Sequence, residues 1–89
     1  MMNADEIKKV LLEAVQAVKR KPLPPDFQIA PEANLRETLE LDSLDMLEIV
    51  DELERRLNIS LDLESLRKMT TAGEIVAMVT EKVAERKAA

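Results

Sequence analysis

Ile7, Val10, Leu11, Ala14 and Val18 fall at helical spacing near the start of the chain, with charged residues between them. Such a stripe predicts an amphipathic helix whose apolar side meets a core. Asn3 followed by Glu6 has the pairing of a capping box, and Asp5 and Glu6 suit the positive end of the helix dipole. Lys19, Arg20 and Lys21 suit the opposite end, so a helix is expected over about 4–20. The pattern then breaks. Pro22, Pro24, Pro25 and Pro31 forbid a continuous helix up to Leu41. Leu23, Phe27, Ile29, Leu35, Leu39 and Leu41 nevertheless punctuate the segment. A long loop carrying apolar anchors is expected to drape over the core rather than stand in solvent.

Helical periodicity resumes at Asp42 or Ser43 and runs to about Leu57, over 43–57. Met46, Ile49, Val50, Leu53 and Leu57 form the inward stripe, and Asp45, Glu48, Asp51, Glu52 and Glu54 cover much of the rest. Arg55 and Arg56 sit at the C-terminal end, as the dipole favours. Asn58 to Leu61 reads as a connector. Asp62 can cap a short helix over 62–68 anchored by Leu63 and Leu66. Thr71 and Glu74 form a further capping box, opening a last helix over 72–85 with Ile75, Val76, Val79 and Val83 facing inward. The tail from Glu85 to Ala89 is expected to fray. The expected fold is all-α, a small bundle of three main helices plus one short helix with a long first loop, in a single domain over 1–89.

Composition sharpens this picture. A chain of 89 residues buries only roughly 60% of its unfolded surface, and 46% hydrophobic residues suffice for a core. Phe27 is the sole aromatic residue, so that core is aliphatic, and a single glycine leaves few strand turns. The net charge of −5 argues against nucleic acid and against anionic membrane surfaces, and favours a basic protein surface as partner. Histidine, cysteine, tryptophan and tyrosine are all absent. That removes disulfides, thiolate chemistry, the commonest general base and the commonest transition-metal ligand. No apolar run is long enough for a membrane span, and charges at Asp5, Glu6, Lys8 and Lys9 interrupt any signal-peptide core. A cytoplasmic monomer is expected.

Candidate chemistry therefore concentrates at Asp42-Ser43-Leu44. With Asp42 as N-cap, Ser43 occupies the first helical turn and points away from the axis, beside unpaired backbone N–H groups. This hydroxyl is better placed to be modified by another enzyme than to act as a nucleophile in its own reaction. A phosphate ester is tolerated at a helix N-terminus, although Asp42 and Asp45 oppose it with like charge. A transient Mg²⁺ near Asp42 and Asp45, brought by a modifying enzyme, resolves that conflict; no permanent metal site is expected. Taken alone, the tripeptide also reads as plain helix capping.

The surrounding residues extend the pattern. Leu39 and Leu41-Asp42-Ser43-Leu44-Asp45, followed by Met46-Leu47-Glu48-Ile49-Val50-Asp51-Glu52-Leu53-Glu54, resemble the acyl carrier protein signature. The resemblance continues through Leu57-Asn58-Ile59-Ser60-Leu61 to Met69-Thr70-Thr71-Ala72-Gly73-Glu74 and covers nearly the whole chain. It implies a discrete carrier in which Ser43 receives 4′-phosphopantetheine from coenzyme A through a Mg²⁺-dependent phosphopantetheinyl transferase. The arm's thiol would then carry acyl intermediates as thioesters between partner enzymes of fatty-acid, polyketide or specialised lipid synthesis. The chain would be a substrate and shuttle, not an enzyme.

The resemblance also implies roles for other residues. Asp42 and Leu44 would flank the arm. Asp45, Leu47, Glu48, Asp51, Glu52 and Glu54 would dock on basic patches of acyl-loading and acyl-processing enzymes. Met46, Ile49, Val50, Leu53, Met69 and Ile75 would line an acyl pocket, though each also reads as core. Glu40 stands where many fatty-acid carriers have glycine, Asp51 where an apolar docking residue is frequent, and the first loop is longer and richer in proline than usual. Two other readings compete: a stand-alone peptidyl or D-alanyl carrier, and an unmodified acidic helical adaptor.

Overall fold

Each helix of the computed structural model, which describes residues 2–24 and 26–88, begins where a short polar side chain satisfies backbone N–H groups. Helix α1 (Ala4–Lys19) starts at Asn3, which accepts from the Glu6 backbone while Glu6 accepts from that of Asn3. Arg20 closes it in the left-handed region at φ 53°. Helix α3 (Ser43–Leu57) is capped by Asp42 and closed by Asn58, also left-handed, a conformation asparagine tolerates better than most residues. Helix α4 (Leu63–Lys68) is capped by Asp62. Thr71 and Glu74 cap helix α5 (Ala72–Ala88) reciprocally, the Glu74 amide donating to Thr71 Oγ1 at 3.1 Å and the Thr71 amide to Glu74 Oε1 at 3.1 Å. Among the described residues there is no strand, only an isolated bridge between Asn34 and Thr71. The fold is an all-α bundle.

Two features differ from the sequence reading. The long connection contains one further helical turn, α2 (Leu35–Thr38), capped by Asn34. It is held from a distance: the Leu35 amide donates to the Thr70 carbonyl at 3.0 Å, the Ala72 amide to Ala33 at 3.0 Å and the Gly73 amide to Pro31 at 2.8 Å. Gly73 suits this stitching, because a β-carbon there would lie 3.0 Å from the Pro31 oxygen and 3.2 Å from its Cβ, so that Pro31 would have to give way by a few tenths of an ångström. The second difference is at the C-terminus. Rather than fraying from Glu85, α5 continues to Ala88. The Arg86 guanidinium donates to the Leu57 carbonyl, one of the acceptors left open at the end of α3. Pro25 and Ala89, which entered the loop and tail expectations, lie outside the described residues.

Helix α1 packs against α3 and α5. Ile7, Leu11, Ile49, Leu53, Ile75, Val79 and Val83 from these helices are fully buried, together with Leu35 of α2 and Leu66 of α4. Ile29, Leu35 and Leu41 anchor the long connection in this core, which holds its end, and with it the start of α3, in a fixed place.

Candidate functional site

At the start of α3 the cap and the reactive candidate are different residues. Asp42 does the capping: its Oδ1 accepts from the Asp45 amide at 2.7 Å, and Asp45 Oδ2 accepts from the Asp42 amide at 3.2 Å. Ser43, one position on, is exposed and takes no part in the cap. Its hydroxyl accepts a bond from Arg36 Nη2 at 3.4 Å.

Asp45 is further tied to α1. Lys19 Nζ lies 3.2 Å from its Oδ2 and donates to the Glu40 carbonyl at 3.1 Å. The bond from the Asp42 amide above all holds the Asp45 carboxyl below its ordinary value of 3.8; burial opposes it, and Lys19 adds to the lowering. The chain reaches this cap through Glu40, which adopts φ 53° although it carries a β-carbon.

Beside Ser43 opens a cleft of about 190 Å³ lined by Arg36, Ser43, Met46, Leu63, Leu66 and Arg67. Of the six residues read as an acyl pocket, Met46 alone lines this cleft. Ile49, Val50, Leu53 and Ile75 are packed in the core, and Met69 is half-buried against it. Arg36, Leu63, Leu66 and Arg67 did not figure among the sequence candidates. Leu63 and Leu66 read only as anchors of a short helix. Arg36 did leave a signal, as the sole cation between Lys21 and Arg55.

The acidic face of α3 divides into committed and uncommitted groups. Glu52 pairs with Arg55 and, at 2.9 Å, with Arg56, whose bond is the main reason its carboxyl sits below the usual 4.5. Glu54 accepts from the Leu61 amide at 2.8 Å and so holds the connector after the helix. Asp51 is exposed and only loosely paired with Arg55, at 3.7 Å. Glu48 is exposed and, among the described residues, enters no ion pair. Leu44 and Leu47 are 61% and 48% exposed, the large apolar side chains that the described surface leaves in solvent. They stand on the same helix as Glu48 and Asp51 and form a mixed apolar and acidic face. Among the described residues no three carboxylates gather as a metal site; Asp42 and Asp45 are a pair, each already accepting a backbone bond.

The model of a family described as "Phosphopantetheine attachment site" matches residues 9–79. The chain belongs to the acyl carrier protein family. It is 37% identical over 81 residues to an acyl carrier protein of Rubrobacter xylanophilus, covering 90% of this chain and 95% of that one. It is 35% identical to an acyl carrier protein of Helicobacter pylori, over 80% of this chain and 92% of the relative. With that of Thermosynechococcus vestitus it shares 33% identity over 93% of this chain and 99% of the relative.

Membership makes the chain a carrier, not a catalyst, which bears 4′-phosphopantetheine and meets transferases and acyl-processing enzymes. The thiol that this cysteine-free protein lacks belongs to its prosthetic group, which holds acyl groups as thioesters. An exposed hydroxyl, a guanidinium against it and a cleft with apolar walls fit such an arm. No described helix is long and apolar enough to cross a membrane.

Proposed function

We propose that Ser43 bears the arm and that the cleft between α2, α3 and α4 receives the near part of its cargo. The observation that carries this reading is the division of labour at the helix start: Asp42 caps, which leaves the Ser43 hydroxyl exposed and free of the cap. In the loading reaction the Ser43 oxygen attacks the pantetheine-linked phosphorus of coenzyme A. The pyrophosphate bond breaks, the adenosine bisphosphate half leaves, and the serine proton passes to the transferase. Asp42 and Asp45 would share the transferase's Mg²⁺ during that encounter, with no metal retained afterwards.

Leu44, Leu47, Glu48 and Asp51 are the proposed docking face, and Glu52, Asp45 and Glu54 support it by fixing the helix and its ends. A basic, partly apolar patch on each partner enzyme is its complement. Such pairing speeds encounter and sets orientation, which suits a shuttle that must leave again. Met46, Leu63 and Leu66 would meet the acyl chain first. Ile49, Val50, Leu53, Met69 and Ile75 lie behind them, and a longer chain enters only if this core repacks, with Met46 and Met69 as its most adaptable members. The proposed setting is the cytoplasm, alongside the enzymes that load and unload the arm.

The test is direct. The purified chain is incubated with a promiscuous phosphopantetheinyl transferase, Mg²⁺ and coenzyme A, then weighed as an intact protein. The wild type is expected to gain the mass of one phosphopantetheine and Ser43→Ala none. A wild type that stays unmodified while a control carrier is loaded in parallel would sink the proposal.

A further inference from the structure

Attachment at Ser43 raises an electrostatic difficulty. A phosphodiester carries negative charge, and Ser43 is flanked by Asp42 and Asp45 in a chain of net charge −5. The positive end of α3 is already spent on this acidic cap. A Mg²⁺ brought by the transferase relieves the repulsion only during loading, whereas the arm stays. The nearest lysine does not help either, since Lys19 is held by Asp45 and the Glu40 carbonyl.

Arg36 is differently placed. It is the sole cation between Lys21 and Arg55, in a stretch otherwise rich in carboxylates. Among the described residues it enters no ion pair, although every arginine on α3 and α4 does. Its guanidinium instead reaches the Ser43 hydroxyl at 3.4 Å. That contact is long and spends one donor on a weak acceptor, while a guanidinium offers five donors in a fork matched to phosphate oxygens. The backbone around it is fixed: Arg36 sits in α2, whose Leu35 is fully buried and bonded to Thr70. Arg67 lines the same cleft from α4 but is 61% exposed and pairs with Glu64 at 3.4 Å.

We propose that Arg36 binds the phosphodiester of the arm and holds it at the mouth of the cleft between α2, α3 and α4, with Arg67 as a secondary cation on the α4 wall. The proposal rests on Ser43 being the attachment residue. Arg36 is then a positioning residue: it offsets the Asp42–Asp45 pair and points the arm towards Met46, Leu63 and Leu66. The Ser43 hydroxyl engages the fork through one bond, whereas the phosphate oxygens that loading places there offer it two, so the stronger contact belongs to the loaded form.

The experiment uses ¹⁵N-labelled full-length protein before and after enzymatic loading, with the arginine Nε–H signals and the ³¹P resonance of the arm as readouts. In the wild type, loading is expected to shift the Arg36 Nε–H signal and slow its exchange with water several-fold, an effect reversed by high salt. In Arg36→Gln the ³¹P resonance is expected to move towards that of free phosphopantetheine and the thermal midpoint to fall more in the loaded than in the unloaded form. Arg36→Lys should lie between. Arg67→Gln is expected to have the smaller effect. If the wild type loads but its Arg36 signal is the same in both forms, and Arg36→Gln leaves the ³¹P resonance in place, Arg36 does not bind the phosphate and the carrier reading survives. Failure of the wild type to load beside a loaded control overturns both. The wild-type comparison needs no variant, so it decides the matter even if Arg36→Gln folds poorly.

Discussion

Glu40 carries a local cost that a single substitution exposes. A residue with a β-carbon in the left-handed region costs about 1–2 kcal/mol, and the greater freedom of glycine in the unfolded chain returns about 0.5–1 kcal/mol of that. Glu40→Gly is therefore expected to stabilise the protein by roughly 0.5–1 kcal/mol in urea unfolding; a loss of stability would show that the Glu40 side chain holds the turn. Asp45 gives a pH-dependent test. Its folded-state pKa is depressed by the Asp42 amide and Lys19, so its contribution is present above its ordinary value of 3.8 and vanishes as pH falls through the lower folded value. Asp45→Asn should be less stable than wild type at neutral pH, and the gap should close at more acidic pH. A gap that stays constant would remove Asp45 from the acid response. At this scale the sequence was informative where partners are close neighbours, as for Asp42 with Asp45. It was silent where they are distant: nothing in the one-dimensional pattern places Lys19 on Asp45, or Arg36 on Ser43, because the turn through Glu40 makes those meetings.

Helix α3 performs two tasks on opposite faces, and substitutions should separate them. Leu53 is wholly buried, so Leu53→Ala is expected to cost about 2–5 kcal/mol. Leu47 is half in solvent, and Leu47→Ala should change stability by no more than about 0.5 kcal/mol while slowing acyl transfer by a partner enzyme. Unchanged transfer would make Leu47 an incidental surface leucine. Glu48→Gln should likewise spare stability and slow transfer, whereas Glu52→Gln also gives up about 0.3–0.5 kcal/mol from its exposed pairing with Arg56. The four longer helices were readable because capping signals and apolar periodicity are local properties. Helix α2 was not, because a single turn after the proline-rich stretch has almost no periodicity, and the bonds that hold it, from the Leu35 amide to Thr70 and from the Ala72 and Gly73 amides to Ala33 and Pro31, join residues far apart along the chain. The extension of α5 to Ala88 escaped for the same reason, since the acceptor of Arg86 is the end of α3.

The whole molecule has a radius of gyration of 12.1 Å, matching the about 12 Å expected for a compact chain of this length. The long connection therefore adds no extension; it is folded onto the bundle and delivers the start of α3 to the surface. Net charge of −5 acts at this scale too. Association with a basic partner is expected to slow steeply as ionic strength rises and the screening length shrinks from about 10 Å at 0.1 M towards about 3 Å at 1 M. A salt-independent association rate would leave the apolar pair Leu44 and Leu47 as the whole docking signal. All of these roles follow from the arm standing on one particular hydroxyl at the mouth of one cleft. Peptide mapping of the enzymatically loaded protein by tandem mass spectrometry reads that out directly. The phosphopantetheine mass is expected on the peptide and fragment ions that contain Ser43 and nowhere else; an adduct on Ser60, Ser65 or a threonine, with Ser43 bare, would contradict the account.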